Sequence, residues 1–178
     1  DSYTLLHILD SLRRRAPIRY ELVAVNVDAG FPGFRKDRIE AHLREYGFAY
    51  RLETTDCAAI IKEKLRPGSS YCAFCARLRR GVLYTLADAL GCNKLALGHH
   101  LDDFIETLLL NQFYVGTLAA MSPRLAADNG RHTVIRPLVY VEERDIAEFA
   151  ARNNFPIVGC ACPESGSFDR QRRRMKQL

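Results

Sequence analysis

The sequence predicts a doubly wound α/β domain with a mainly parallel β-sheet, and three observations support this. Short apolar runs rich in valine and leucine alternate with longer segments whose apolar residues follow helical spacing. Loops rich in glycine and proline separate these segments. The apolar runs are mostly uninterrupted by polar residues, which is typical of parallel strands buried on both faces. In such a sheet, ligands bind beyond the carboxyl ends of the strands.

The first half of the chain contains three predicted helices and two predicted strands. Ser2 is suited to cap the first helix, whose apolar face extends to Leu12, and Pro17 follows its end. Segment 21–27 (ELVAVNV) predicts a buried strand, and the glycine and proline residues of 28–33 predict a loop after it. The other elements of this half are a helix at 34–46, a strand at 48–52 and a helix from Asp56 to Leu65.

The second half repeats the alternation. A long helical pattern runs from Cys72 to Leu90, and the apolar run at 94–97 predicts a strand after it. The spacing from Phe104 to Phe113 predicts another helix, and residues 116–130 are predicted to form a long connection. The chain continues with a strand at 132–137, a helix at 142–153 and an extended segment at 155–158.

Residues 1–162 are predicted to form one domain, with 163–178 as a basic C-terminal segment of it, helical or flexible. The 178 residues, 48% of them apolar, suffice for a substantial core. No run approaches the roughly 20 apolar residues of a membrane span, and no signal peptide is visible, so we expect a cytoplasmic protein without a membrane partner. Because the chain begins at Asp1 without a methionine, we expect that the first strand of the sheet is missing from it.

The charge distribution favours a polyanionic partner such as nucleic acid. The formal net charge is +5, and the basic residues are clustered. One cluster is Arg77, Arg79 and Arg80, and the other lies within 170–176 and includes Arg172 and Arg173. For the C-terminal cluster alone, a solvated helix face or tail is the better explanation.

The most informative motif is the segment 98–103, with the sequence GHHLDD. A predicted strand ends there and a helix begins, so two imidazoles and two carboxylates lie where ligands bind. The carboxylates of Asp102 and Asp103 can hold Mg²⁺ against phosphates, and His99 can contact a phosphate or carry a proton. Aspartates at a helix start are also common helix caps. The motif predicts a site for an anionic ligand that needs a metal.

The six cysteines predict a reducing compartment and a metal or redox site. Cys72 and Cys75 alone fit zinc, an iron–sulfur cluster or a redox dithiol, and the arginines after them favour the thiolate. Cys160 and Cys162 can complete a site in space, either with four cysteines around zinc or with three around a cluster that has one iron free of protein ligand. The remaining two, interpreted as core or incidental residues, are Cys57 and Cys92.

Two further positions carry weaker signals. Asp1 and Ser2 open the first helix, whose N–H groups and dipole favour phosphate binding when glycines precede them. Asp28 follows the strand at 21–27, at another ligand-facing strand end. Contact with a ribose or base and a turn closed by its own backbone are about equally favoured for this residue.

Taken together, these residues resemble the PP-loop ATP pyrophosphatase family, whose fold is adenine nucleotide alpha hydrolase-like, and within it the TtcA-type tRNA 2-thiocytidine synthetases. Asp1-Ser2 and the helix after them are similar to the end of the family's phosphate loop, Ser-Gly-Gly-x-Asp-Ser. Further matches in the family's order are Cys72-Ala-Phe-Cys75 with its arginines, Gly98 to Asp103, Asn111-Gln112-Phe113-Tyr114, Ile135-Arg136-Pro137-Leu138 and Phe155-Pro156-Ile157.

Two parts of the pattern differ from the family. The Ser-Gly-Gly part of the phosphate loop is absent from this sequence, with the strand before it. TtcA-type members often carry Cys-x-x-Cys near the C-terminus, whereas this chain has Cys160-Ala-Cys162-Pro. A Cys-Pro step is similar to the late cluster ligand of related thiouridine synthetases. The resemblance therefore favours Cys162 as the third ligand, with Cys160 as the alternate.

The resemblance implies ATP-dependent thiolation of tRNA. ATP adenylates the C2 carbonyl oxygen of cytidine 32, and sulfur then replaces that oxygen. The implied catalytic residues are Asp1 and Asp103, and the implied ATP-binding residues are Asp1, Ser2, Asp28, Gly98 and His99. The implied metal ligands are Asp102 and Asp103 for Mg²⁺, and Cys72, Cys75 and Cys162 for a [4Fe-4S] cluster, in which an open iron could carry sulfide.

The resemblance also implies partners. The tRNA backbone is expected on Arg77, Arg79, Arg80, Arg172 and Arg173. A cysteine desulfurase or another sulfur donor is the second expected partner, and a homodimer is the oligomeric state to test.

Two other interpretations remain open at this point. A nucleic-acid-binding module stabilised by zinc on four cysteines explains the cysteines and arginines but leaves the motif at 98–103 unexplained. Another PP-loop enzyme, which thiolates a different tRNA position or joins an amine to a base, explains that motif. Amine-joining relatives need no cluster cysteines, which argues against that branch.

Overall fold

The computed structural model describes residues 1–127, 130–162 and 175, and it confirms the α/β fold. Helices and strands alternate along most of the chain, as the hydrophobic pattern predicts. The helices are α1 (Ser2–Arg13), α2 (Lys36–Glu45), α3 (Cys57–Lys64), α4 (Tyr71–Ala89), α5 (Leu101–Leu110) and α6 (Glu143–Arg152). The strands are β1 (Ala24–Asp28), β2 (Tyr50–Thr54), β3 (Lys94–Ala96), β4 (Arg124–Ala126) and β5 (Thr133–Ile135). A π-helical turn, Asn111–Val115, continues α5.

Within the described residues the strands form a two-stranded sheet, β1-β2, and a three-stranded sheet, β3-β5-β4. The pairs β1–β2 and β3–β5 are parallel, which confirms the predicted mainly parallel pairing. Strand β4 pairs with β5 in the antiparallel direction, with Leu125 opposite Val134. The expected strand before Asp1 concerns no residue of this chain and stays a prediction.

Strand β4 corrects the predicted long connection at 116–130. Its three residues are all exposed and therefore show no core-facing periodicity. The strand forms because one edge of β5 is free to pair. The second predicted strand also shifts, from 48–52 to Tyr50–Thr54, since the Phe48 N–H bonds the Leu43 carbonyl and closes the end of α2 at 3.0 Å.

A small core fixes the start of α1 beside the second sheet. Leu5 of α1, Leu138 after β5 and Ile146 of α6 are buried together. Ala96 of β3 packs against them. The burial of these side chains stabilises the arrangement by the hydrophobic effect and holds α1, β3 and α6 in register.

No helix in the described part of the chain is long and apolar enough to cross a bilayer. The basic segment predicted at 163–178 lies outside the described residues, apart from Met175. Its assignment to the same domain stays a prediction.

Candidate active site

The segment 98–103 lies between the end of β3 and the first turn of α5, as predicted. His100 occupies the N-cap position of α5, and its backbone N–H donates to Asp103 Oδ2 at 3.1 Å. The backbone N–H of Glu143, the first residue of α6, donates to Asp102 Oδ2 at 2.7 Å. Both carboxylates therefore cap helices, one its own helix and the other α6.

Gly98 brings this segment against the start of α1. A Cβ atom on Gly98 would lie 3.0 Å from the Asp1 carbonyl carbon and 3.2 Å from the Ser2 nitrogen. Glycine is therefore required here by a close backbone approach. The two motifs that the sequence analysis related, one at the chain start and one at 98–103, are in direct contact. We call Asp1, Ser2 and residues 98–103 the strand-end region.

The start of α1 provides anion-binding groups in the strand-end region. Asp1 is the N-cap residue, and its side chain makes no capping hydrogen bond. The first N–H groups of a helix have no partner within the helix, and they carry the positive end of its dipole. The carboxylates of Asp103 and Glu143 lie close enough to the backbone nitrogen of Asp1 to interact with it electrostatically. The start of α1 thus lies close to the carboxylate of Asp103.

Asp28 makes the contacts of a turn residue at the end of β1. Its Oδ1 accepts the N–H of Gly30 at 2.9 Å, and its Oδ2 lies 3.6 Å from Lys36 Nζ. Its carbonyl accepts the N–H of Thr55 at 2.9 Å. These contacts favour the turn interpretation, and contact between Asp28 and a ribose or base stays a prediction.

Arg136 is a site residue whose role is not evident from the sequence. It follows β5 directly and is 9% exposed. Its Nε donates to His99 Nδ1 at 3.2 Å, and its Nη1 donates to the Ser122 carbonyl. Burial lowers the pKa of Arg136, and nearby Arg80 lowers it further. The signal in the sequence was a lone arginine between an apolar strand and a proline.

The cysteine region consists of Cys57, Cys72, Cys75, Cys160 and Cys162. Cys72 and Cys75 lie near the start of α4. Burial raises the pKa of the Cys75 thiol, Arg79 opposes that shift, and the thiols of Cys57, Cys162 and Cys160 raise it further. The two cysteine pairs, distant in sequence, are therefore neighbours in the fold.

Cys57 is a buried core residue, as one of its two interpretations predicts, and it also lies near the Cys75 thiol, which the sequence did not indicate. It opens α3, is 2% exposed, and accepts a hydrogen bond from Thr55 Oγ1 at 3.1 Å. Cys92 differs, since its Sγ contacts the Leu90 carbonyl at the end of α4. Cys57 could not be assigned from sequence because its thiol neighbours are far along the chain.

The thiols fit an iron–sulfur cluster or zinc in donor type and in neighbourhood. Among the residues that the structure describes, no three Cys, His, Asp or Glu side chains are arranged to hold a metal ion. Cys160 is exposed and Cys162 is buried, in a segment without helix or strand.

The three arginines of α4 are exposed, and each lies beside a different part of the molecule. Arg79 acts on the Cys75 thiol, and Arg80 lies near Arg136. Arg77 lines a groove of about 450 Å³ between β2 and α4, whose apolar wall includes Leu78. The other two predicted tRNA-binding residues, Arg172 and Arg173, lie outside the described residues.

The chain matches the PP-loop domain family over residues 1–178. It is 78% identical to a tRNA-cytidine(32) 2-sulfurtransferase of Syntrophotalea carbinolica over 178 residues, covering 100% of this chain and 69% of the relative. It is 72% identical to the protein of that name from Geobacter sulfurreducens, with the same coverage of 100% and 69%.

A solved structure with a similar fold is the U34-tRNA thiolase NcsA from Methanococcus maripaludis with its [4Fe-4S] cluster. The TM-score is 0.70 at 21% sequence identity. The match covers 98% of this chain, and the chain spans 59% of that thiolase. At this level of identity the likeness shows the fold.

Proposed function

The chain belongs to the PP-loop domain family and, within it, to the tRNA-cytidine(32) 2-sulfurtransferases, and from this membership we propose that it carries out ATP-dependent thiolation of cytidine 32 in tRNA. The observation that carries the proposal is the contact between Gly98 and the Asp1–Ser2 peptide. It joins a helix start suited to phosphate with the two carboxylates at 98–103.

ATP is proposed to bind in the strand-end region. Its phosphates lie on the first N–H groups of α1 at Asp1 and Ser2, where the helix dipole favours negative charge. Gly98 leaves room for this approach, and His99 contacts the nucleotide. Asp28 at the neighbouring strand end is the proposed contact for the ribose or base.

Mg²⁺ is the proposed metal of this region, held by Asp103 and Asp102 against the ATP phosphates. Each carboxylate also caps a helix through its Oδ2 atom. A carboxylate has two oxygens and several lone pairs, so capping and metal binding are compatible. The caps would fix the direction in which the carboxylates meet the metal.

The first step is the attack of the cytidine C2 carbonyl oxygen on the α-phosphorus of ATP. A bond forms between that oxygen and the phosphorus, and pyrophosphate leaves with the electrons of the broken P–O bond. This activation is needed because an amide-like oxygen is a poor leaving group. Backbone N–H groups of α1 and the metal at Asp103 would stabilise the charge that develops on the phosphates. Asp1 is the second proposed catalytic residue.

Sulfur then replaces the activated oxygen, and AMP leaves with it. Cys72, Cys75 and Cys162 are the proposed ligands of a [4Fe-4S] cluster, with Cys160 as the alternate to Cys162. When bound, such a cluster supplies the sulfur chemistry. The shared surroundings of Cys75, Cys160 and Cys162 support this ligand set. The donor set also suits zinc, so the metal must be measured.

The tRNA backbone is proposed to lie on Arg77, Arg79 and Arg80, with Arg172 and Arg173 contributing from the C-terminal segment. The cytoplasm is the proposed location of the reaction. A cysteine desulfurase or another sulfur donor reloads the sulfur, and the homodimer is the proposed oligomeric state.

Mass spectrometry of tRNA nucleosides tests the function directly. A strain that lacks the gene is expected to lose 2-thiocytidine from its tRNA and to regain it on complementation. Complementation with Asp103→Asn is expected to restore little, because the first step depends on Asp103. An unchanged level of 2-thiocytidine in the deletion strain would refute the proposal.

Metal analysis tests the cofactor. Protein purified under strictly anaerobic conditions is expected to be brown, to contain iron and sulfide, and to absorb in the visible range. A colourless protein with one zinc per chain after anaerobic reconstitution would exclude the cluster.

A further inference from the structure

Within the described residues, Arg136 carries a buried positive charge without a carboxylate partner. It is 9% exposed, and among the described residues no carboxylate forms an ion pair with it. Its two hydrogen-bond acceptors, His99 Nδ1 and the Ser122 carbonyl, are neutral groups. Buried charges in folded proteins are normally paired or bound to a ligand, because an uncompensated buried charge is costly.

A second guanidinium adds to this positive charge. Arg80 on α4 is exposed and lies close enough to Arg136 to disfavour its charged form. Tyr84, one turn further along α4, favours the charged form. An anion between the two guanidinium groups would compensate both charges, and the protein itself provides no carboxylate there within the described residues.

The hydrogen bond from Arg136 also defines the protonation of His99. Because His99 Nδ1 accepts a hydrogen bond, its proton in the neutral ring is carried by Nε2. His99 can therefore donate only from Nε2. A ligand at the carboxyl ends of β3 and β5 therefore meets only hydrogen-bond donors from the side chains of Arg136, Arg80 and His99.

We propose that Arg136, with Arg80 and His99, forms a phosphate-binding site at the carboxyl end of β5. A guanidinium has five N–H donors in a planar fork that matches two oxygens of a phosphate. Two of these donors are used for His99 and Ser122, which hold the fork in place. The phosphate comes from the ATP in the strand-end region or from the tRNA backbone beside the target nucleoside. The identity of these two phosphate sources rests on the proposed function, whereas the phosphate-binding site itself does not.

Binding measurements on the full-length protein test the site. Inorganic pyrophosphate, Mg-ATP and an anticodon stem-loop RNA are titrated separately by calorimetry into the wild type and into Arg136→Gln. Loss of charge-assisted hydrogen bonds is expected to weaken the binding of the phosphate source about 10- to 100-fold. Arg136→Lys keeps the charge but loses the fork, so it is expected to recover part of the affinity.

The matched control is Arg152→Gln. Arg152 is an exposed arginine of α6 that pairs with Glu148. Arg152→Gln removes the same charge from a residue outside the proposed site, and this variant is expected to bind all three ligands as the wild type does. If Arg136→Gln and Arg152→Gln behaved alike, the proposal would be overturned.

The three ligands separate the two sources. Weaker binding of pyrophosphate and Mg-ATP by Arg136→Gln assigns the site to the nucleotide, and weaker binding of the stem-loop alone assigns it to the RNA backbone. Unchanged binding of all three overturns the site. If Arg136→Gln lacks the native melting transition, Arg80→Gln at its exposed position measures the same site, and unchanged binding of all three ligands by that variant also overturns it.

The proposed function fails by a different measurement. An unaltered tRNA in the deletion strain, combined with Arg136-dependent binding of pyrophosphate, would refute the thiolation and leave the phosphate site standing. Normal 2-thiocytidine synthesis by the wild type, combined with wild-type anion binding by Arg136→Gln, would refute the phosphate site and leave the thiolation standing.

Discussion

In the strand-end region, backbone contacts already hold the functional groups, whereas in the cysteine region the thiols are neighbours without being assembled. Asp102 and Asp103 each accept a backbone N–H, at 2.7 and 3.1 Å, and Gly98 touches the Asp1–Ser2 peptide. Among the described residues no hydrogen bond holds Cys160, which is exposed in a segment without helix or strand. An anion site benefits from preorganised donors, while a metal supplies its own energy to draw its ligands together.

The comparison predicts that damage to one region leaves the other intact. The largest effect is expected from Cys75→Ser, which removes a thiol at the centre of the cysteine region. Thiolation and cluster content are expected to fall to background, because Cys75 neighbours both late cysteines. Binding of Mg-ATP, measured by calorimetry, is expected to remain unchanged.

Cys92→Ser is the control for this variant. Cys92 lies at the end of α4, away from the cysteine region. It is expected to keep iron, visible absorption and 2-thiocytidine synthesis. Full thiolation by Cys75→Ser, or loss of its Mg-ATP binding, would contradict the separation of the two regions.

The reverse experiment is Gly98→Ala, with the next largest effect. The added Cβ would lie 3.0 Å from the Asp1 carbonyl carbon, a backbone atom that cannot rotate away. We expect the free energy of unfolding to fall by about 1–3 kcal/mol and Mg-ATP affinity to fall about 10- to 100-fold. Iron content is expected to stay at the wild-type level.

Gly81→Ala provides the matched control. Gly81 lies within α4, and a Cβ there meets no atom within 4 Å. In a helix interior this change is expected to increase the free energy of unfolding by about 0.5–1 kcal/mol. Wild-type ATP affinity in Gly98→Ala would show that the contact with the start of α1 has no role in binding.

Two substitutions of Asp102 separate its structural role from metal binding. Asp102→Ala removes the cap of α6 and is expected to lower the free energy of unfolding by about 1 kcal/mol. Asp102→Asn keeps an oxygen that accepts the Glu143 N–H, so its unfolding is expected to match the wild type. If Asp102 binds Mg²⁺, both variants weaken Mg-ATP binding; wild-type affinity in Asp102→Asn would limit the residue to the cap.

The smallest expected effect concerns a pair of imidazoles, one on α1 and one on α2. His7 Nε2 and His42 Nε2 are 3.0 Å apart, and Phe155, which precedes the late cysteines, stacks on His7. Burial lowers the pKa of both rings from the ordinary 6.5, and for His7 the neighbouring His42 lowers it further.

The sign of the pH effect follows from these lowered pKa values. As the pH falls below 6.5, the unfolded chain binds protons that the folded chain resists, so stability is full above pH 6.5 and is lost below it. We expect a drop in melting temperature on the order of 2 °C between about pH 7.5 and about pH 5.5 from this pair. His7→Phe keeps an aromatic ring and is expected to flatten that drop; an equal drop in this variant would assign the pH dependence to other groups.

The local parts of the molecule were predictable from sequence. The motif at 98–103 and the pair Cys72 and Cys75 each lie within one strand end or one helix turn, where spacing defines geometry. Strand β4 could not be predicted, because its exposed residues have no periodicity and its partner β5 comes later in the chain.

The contacts that complete the site join distant segments, and spacing does not report them. Arg136 and His99 are 37 residues apart, and Asp102 and Glu143 are 41 residues apart. Cys57 shows the same limit, since its environment depends on how α3 packs against α4. In each case the sequence indicated only a charged residue or a thiol that its neighbours in the chain did not explain.

Through the cap from Asp102, helix α6 connects the strand-end region with the segment that carries the late cysteines. One end of α6 is held by a carboxylate of the strand-end region, and the chain beyond its other end passes Phe155 and reaches Cys160. A change at Asp102 that weakens its bond to the Glu143 N–H is therefore expected to loosen the start of α6, the helix whose other end leads into the segment of the late cysteines.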